Sequence, residues 1–254
     1  MSAPARWALI TGGAQRLGAA CALELARAGW GVVVQYRSAA LPAIDLLDAI
    51  RNHGGEGAAF AADLADPNAA ETLVREADAA AHGKLVAVVN CAASFEHDTI
   101  AALDPALFER AMRLNALAPA LIAKHFAAIT AGRPGRSLVN FLDFKLANPY
   151  PDHFSYTLSK YALAGATEML ARALAPGVRV NAVAPGYVLP APDQSEDDFK
   201  RLHNALPPLK RGATADDIAG AVRYLLESPA VTGQTLYIDA GMRFRSFERD
   251  MSFL

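Results

Sequence analysis

Trp7-Ala8-Leu9-Ile10-Thr11-Gly12-Gly13-Ala14-Gln15-Arg16-Leu17-Gly18 runs from a short apolar segment straight into a glycine turn. Beyond the turn Leu17, Cys21, Leu25 and Ala28 recur at helical spacing, and Gly29 ends the helix. Strand, glycine turn and helix in that order make a phosphate cradle, in which backbone N–H groups and the helix N-terminus converge on an anion. Gly12, Arg16, Leu17 and Gly18 are its candidate contacts.

The next apolar run, Val32-Val33-Val34-Gln35-Tyr36, reads as a second strand and is followed by Arg37-Ser38. In nucleotide-binding sheets an acidic residue at this strand end accepts a bond from the adenosine 2′-hydroxyl, whereas an arginine accommodates a 2′-phosphate. Tyr36, Arg37 and Ser38 include no acid, and Arg16 lies in the first turn. That combination predicts NADP(H) over NAD(H).

The rhythm then continues through a helix over 41–52, a strand over 57–61 leading to Asp63-Leu64, and a helix from about 66 to 81. A strand over 85–89 ends at Asn90-Cys91-Ala92-Ala93-Ser94-Phe95, and a long helical stretch over 105–131 contains Asn115. A polar residue in an apolar helix is most simply a local cap or bridging contact. Strands over 138–142 and 178–183 follow, the latter leading to Ala184-Pro185-Gly186, before a helix over 215–226 and a strand over 235–238. Alternation with short connections predicts a single α/β domain over 1–254, a doubly wound, Rossmann-type parallel sheet with helices on both faces. One segment, 187–208, breaks the pattern: it is proline-rich, then acidic at Glu196-Asp197-Asp198, with a short helical patch over 197–205. It reads as a lid beginning at Tyr187, with a solvated loop or a subunit contact as the alternatives.

Composition narrows the function classes. The chain has 254 residues, 53% of them hydrophobic, and a net charge of −2, so a sizeable core is available and no basic field points to nucleic acid or an anionic membrane. No apolar run approaches the roughly 18–20 residues of a membrane span. Met1-Ser2-Ala3-Pro4-Ala5-Arg6 has no signal-peptide layout, and Cys21 and Cys91 make no disulfide or metal pattern, so a cytoplasmic location is expected. The six histidines show no metal-ligand spacing, and no metal is expected.

Leu138-Val139-Asn140-Phe141-Leu142 leads to Asp143; thirteen residues later comes Tyr156, and four after that Lys160. Residues four apart share a helix face, so Tyr156 and Lys160 project together. An ammonium beside a phenol favours the phenolate, and the expectation is that Lys160 lowers the Tyr156 pKa. Asp143 falls at a strand's carboxyl end, where open α/β sheets bind their ligands.

Taken together, the Thr11–Gly18 turn, Asp63, Asn90-Cys91-Ala92-Ala93, Asn115, Tyr156/Lys160 and Pro185-Gly186 resemble the short-chain dehydrogenase/reductase family over nearly the whole chain. The resemblance implies a seven-stranded sheet, a nicotinamide cofactor held by the turn, by Asp63, Leu64, Asn90, Ala92, Pro185 and Gly186, and Tyr156 as proton donor. It also implies that Lys160 binds the nicotinamide ribose and tunes Tyr156, that Asn115 helps hold a proton-relay water, and that the protein is a homotetramer. Two departures are specific. Arg16 stands where the usual turn has its middle glycine, and Asp143 replaces the usual catalytic serine. Both resemble the pteridine reductase branch, which includes dihydromonapterin reductases, and Phe95 matches the branch's pterin-stacking aromatic. Cys91 and Ala93 depart from the branch's Asn-Asn-Ala-Ser segment.

Chemistry points the same way. A serine hydroxyl can donate to a substrate carbonyl, whereas an ionised aspartate cannot and would repel the forming alkoxide. Asp143 suits a C=N bond, whose reduction leaves a nitrogen needing a proton. The expected activity is NADPH-dependent reduction of a pterin, dihydromonapterin- or dihydrobiopterin-like or a dihydrofolate, with Arg16, Phe95, Asp143, Tyr156 and Tyr187 as substrate contacts. A carbonyl reductase acting on a ketone or 3-oxoacyl substrate is the alternative, and a non-catalytic NADP(H)-sensing protein a third.

Overall fold

Apolar side chains fill consecutive rather than alternate strand positions: Ala8, Leu9 and Ile10, and Val32, Val33 and Val34, are all fully buried. Such runs need cover on both faces of the sheet. The computed structural model, which describes residues 4–38, 40–190 and 194–253, supplies it. Strands β1 (Trp7–Thr11), β2 (Gly31–Tyr36), β3 (Gly57–Ala61), β4 (Leu85–Asn90), β5 (Ser137–Phe141), β6 (Arg179–Pro185) and β7 (Thr235–Ile238) form one sheet in the order β3-β2-β1-β4-β5-β6-β7. Every pairing is parallel.

In chain order the helices are α1 (Arg16–Arg27), α2 (Ala40–Asn52), α3 (Ala69–Ala80), α4 (Pro105–Met112), α5 (Ala118–Ile129), α6 (Phe154–Ala173), α7 (Glu196–Ala205) and α8 (Ala215–Glu227). Ile10 and Val34 pack with Leu25 of α1, Ile50 of α2 and Val222 of α8. Leu9 and Val33 point the other way, into Leu73 of α3 and Ile122 and Phe126 of α5. Strand order reverses between β1 and β4, which is where doubly wound sheets open a crevice. Register aligns the crevice edge: Thr11 pairs with Asn90, Asn90 with Asn140, and Phe141 with Val183.

Two helices differ from the sequence expectation. α3 starts at Ala69 rather than near 66, because the Asp66 carboxylate accepts from the Asn68 backbone N–H at 2.9 Å and holds a turn. The expected helix over 105–131 is interrupted: α4 ends at Met112, residues Arg113–Leu117 form a wider π-helical turn, and α5 resumes at Ala118. Pro119 is the physical reason. It has no N–H to send to the Asn115 carbonyl, and its ring crowds that carbonyl, so a regular α-ladder cannot pass. Asn115 thereby sits in a bulge beside the crevice instead of on a helix flank. Among the described residues no helix is long and apolar enough to cross a membrane.

Candidate active site

The carboxyl ends of the central strands open onto a cleft of about 740 Å³. At one end lies the glycine turn. Gly12 has φ +59°, and a Cβ there would stand 2.9 Å from the Ala92 Cα; a Cβ on Gly18 would stand 2.2 Å from the Gly12 carbonyl oxygen. Neither position admits a side chain, so the turn can approach a ligand with bare backbone. Arg16 also has a left-handed φ of 52°, which costs a non-glycine residue on the order of 1–3 kcal/mol. Its guanidinium donates to the Pro190 carbonyl at 3.0 Å, tying the turn to the start of the 187–208 segment. Arg37 and Ser38 are exposed on the cleft wall at the end of β2, beside Asp63, whose carboxylate caps the Ala65 N–H at 3.0 Å.

The other end is built by β5 and α6. Tyr156 and Lys160, one turn apart on α6, are both buried against the cleft. The Tyr156 hydroxyl donates to Asp143 Oδ2 at 2.7 Å, while Asp143 Oδ1 accepts from the Lys145 backbone N–H at 2.9 Å. Lys160 Nζ donates to the Phe141 carbonyl at 2.6 Å and lies 5.6 Å from the centre of the Tyr156 ring. Phe95 meets the Tyr156 ring edge to face at 4.7 Å and stacks on His153 at 3.9 Å. One face of Phe95 is therefore backed by an imidazole, and the residue keeps 46% exposure within the cleft. Tyr187 lines the opposite wall and its hydroxyl donates to Gln194. Of the expected lid, Ala191, Pro192 and Asp193 lie outside the described residues.

Electrostatics overturn one expectation. Tyr156 is not shifted down by Lys160: burial, and then the facing Asp143 carboxylate, push it well above the ordinary tyrosine value. The charges were placed correctly from sequence, but desolvation and the Asp143 hydrogen bond outweigh the ammonium. Burial raises Asp143 too, against the Lys145 N–H and the Tyr156 hydroxyl, and lowers Lys160 to about 8. The Tyr156 shift keeps the proton on the phenol, which donates it to the Asp143 carboxylate.

A family model described as enoyl-(acyl carrier protein) reductase matches residues 12–243. The chain belongs to the short-chain dehydrogenase/reductase family. Among its solved relatives is FolM alternative dihydrofolate reductase 1 from Brucella canis, complexed with NADP, at 33% identity and a TM-score of 0.88, covering 96% of this chain and 97% of that one. A short-chain dehydrogenase/reductase from Serratia marcescens is 29% identical with a TM-score of 0.86, covering 96% and 100%. The 3-oxoacyl-[acyl-carrier-protein] reductase of Synechocystis sp. is 29% identical over 242 residues, 94% of this chain and 97% of that protein.

Within this short-chain reductase the candidate site residues converge on the cleft, with two exceptions: Asn90 and Asn115 are fully or nearly fully buried behind its wall. Asn90 donates to Asn140 Oδ1 at 2.9 Å and so joins β4 to β5 instead of facing a ligand. Asn115 sends its two amide hydrogens to the Ser94 carbonyl, 3.1 Å, and Ser159 Oγ, 2.9 Å, and accepts from the Ser94 N–H at 2.9 Å. Both side-chain hydrogens are thus committed within the protein, while Pro119 leaves the Asn115 backbone carbonyl without its α-helical donor. What the side chain holds is the Ser94 turn, and with it the approach of Phe95. Cys91 lies on the cleft wall, where burial pushes its thiol up to about 12 and disfavours the thiolate.

Several site residues escaped the sequence reading. Gln35 is a buried polar side chain inside an apolar run, a signal that was legible: it accepts from the Gly12 N–H at 2.8 Å and donates to the Ala62 carbonyl at 2.7 Å. Thr11 Oγ1 accepts from the Cys91 and Ala92 N–H groups, both at 3.1 Å. Together they fasten the glycine turn to the ends of β3 and β4. Tyr150 and Asp250, which line the substrate end, are joined by a 2.9 Å bond across a hundred residues, and no local pattern announces such a pair.

Proposed function

We propose that this chain is an NADPH-dependent reductase of pterins, reducing a C=N bond of a dihydromonapterin-, dihydrobiopterin- or dihydrofolate-like substrate. The observation that carries the reading is the 2.7 Å bond from Tyr156 to Asp143, a carboxylate where a carbonyl reductase needs a donor. Likeness to the Brucella canis FolM alternative dihydrofolate reductase supports it.

The cleft fits the cofactor. Gly12 and Gly18 leave backbone room for a pyrophosphate, the first turn of α1 has no acid to repel it, and Arg37 with Ser38 suits a 2′-phosphate. When bound, the reduced nicotinamide supplies hydride. Tyr156, kept protonated by burial, serves as proton donor to the substrate nitrogen, and Asp143 both orients the substrate N–H groups and exchanges protons with the phenol. Lys160 anchors the nicotinamide ribose and stabilises the phenolate that forms. Phe95, backed by His153, is the stacking platform. A cytoplasmic, single-domain homotetramer belongs to the same reading; Leu158, Tyr161 and Met169 form an exposed apolar face on α6 suited to self-association.

Arg37→Ala should weaken NADPH by roughly 1.5–3 kcal/mol, the worth of a charge-assisted contact, and leave NADH nearly unaffected; equal losses would show that Arg37 does not read the phosphate. Phe95→Ala should raise the pterin KM by about tenfold, as expected for a lost aromatic stack, with NADPH affinity retained. A parallel fall in NADPH binding would mean that Phe95 supports the fold instead. The reading as a whole is tested by NADPH oxidation on adding a dihydropterin. The Synechocystis relative favours a second reading, reduction of a 3-oxoacyl thioester. Asp143 opposes it.

A further inference from the structure

The C-terminal segment crosses the substrate end of the cleft, where Asp250 and Met251 join Phe144, Tyr150 and Tyr187 in its wall. It is fastened there by Asp152, a buried carboxylate that accepts from Arg249 Nε at 3.2 Å, Arg249 Nη2 at 3.0 Å and the Asp250 backbone N–H at 2.8 Å. The Asp250 carboxylate itself is oriented by the Tyr150 hydroxyl on Oδ2 at 2.9 Å. Asp152 is balanced by Arg249, which holds it well below the usual carboxylate range. Lys145 is buried behind the wall, with Nζ donating to the Asp152 carbonyl and lying 3.8 Å from the centre of the Tyr150 ring, so no substrate can reach it.

The charges that do face the cleft are unevenly placed. Among the described lining residues the cations are Arg16, Arg37 and Lys160. Arg16 and Arg37 belong to the glycine turn and the end of β2, and Lys160 sits beneath Tyr156 on the Phe141 carbonyl. At the substrate end the acidic lining groups are the carboxylates of Asp143, Asp250 and Glu96; Glu96 meets Arg110 on the rim, and the Lys145 ammonium acts on Asp143 and Asp250 from behind the wall. A carboxylate accepts hydrogen bonds and repels other anions.

We infer that Asp250 is a specificity-determining residue: it favours a substrate whose far end is neutral and carries O–H or N–H donors, and it disfavours one that ends in carboxylates. The inference rests on the pterin reading and narrows it to the substrate's side chain. Asp250 touches no reacting atom in this scheme, so its effect should fall on KM and leave kcat nearly alone.

Initial rates with NADPH test it on three dihydropterins of rising negative charge: dihydrobiopterin, dihydropteroate and dihydrofolate. In the wild type KM should rise with each added carboxylate, giving dihydrobiopterin a kcat/KM advantage over dihydrofolate of roughly tenfold, the size of one close charge repulsion in a partly solvated cleft. Asp250→Asn should remove most of that advantage by lowering the dihydrofolate KM, and Asp250→Glu should retain it. A wild-type enzyme that treats the three alike, or an advantage that survives Asp250→Asn, overturns the inference while leaving the pterin reading standing. Failure to oxidise NADPH with any of the three removes the pterin reading, and the inference with it. Should Asp250→Asn fail to bind NADPH, the wild-type charge series with Asp250→Glu decides: loss of the graded KM in either overturns the assignment.

Discussion

Asp143→Asn should lower pterin turnover by about 10²–10⁴-fold, the range typical of a general acid–base group, with NADPH affinity nearly unchanged. Asparagine keeps the shape and can still accept the Tyr156 hydroxyl, so the α6 face and the 2.7 Å contact survive. What it loses is charge and the capacity to carry a proton. In this site that capacity matters, because burial raises the Asp143 carboxyl and brings its protonated form closer to working pH. Asp143→Ser makes the complementary change, restoring the hydroxyl that a carbonyl reductase uses. It should depress pterin reduction while preserving or improving reduction of a ketone. Pterin turnover indifferent to both substitutions would leave Asp143 as a strand-end residue capping the Lys145 N–H.

Tyr156→Phe should produce a loss of similar size, about 10²–10⁴-fold in kcat, with the pterin KM little altered. Phenylalanine retains the ring contact with Phe95 and the packing over Lys160, so the platform remains and only the proton is gone. The pH profile carries a linked expectation. Lys160 loses its charge as pH rises through about 8; below that the ammonium is present to stabilise the forming phenolate, and above it the stabilisation is lost. The wild-type kcat/KM should therefore fall on the alkaline side from about pH 8, and Tyr156→Phe should flatten that limb. A wild-type profile that keeps rising through that region would contradict the role given to Lys160.

How much of this is legible in the sequence depends on the range of each interaction. The β1–turn–α1 unit and the Asp143, Tyr156 and Lys160 set are local patterns, readable from periodicity and from spacings of thirteen and four. The break in the helix over 105–131 was written in Pro119, but its effect, a wider turn that buries Asn115 behind Ser94, emerges only in three dimensions. Gln35 and Thr11 were visible as polar groups at strand ends, although their partners lie on other strands. The Tyr156 shift was misjudged in sign because sequence spacing shows which charges are near and says nothing of burial, the larger effect here. Tyr150 and Asp250 depend on how the chain's end returns over the cleft.

The central claim is that the cleft reduces a pterin C=N bond with NADPH. It is tested most directly by placing a dihydropterin and a 3-oxoacyl thioester side by side and comparing kcat/KM for each, with product analysis for the tetrahydropterin. The account predicts tetrahydropterin formation coupled one to one with NADPH oxidation, at a kcat/KM well above that for the thioester. Efficient reduction of the thioester with no tetrahydropterin formed would contradict it.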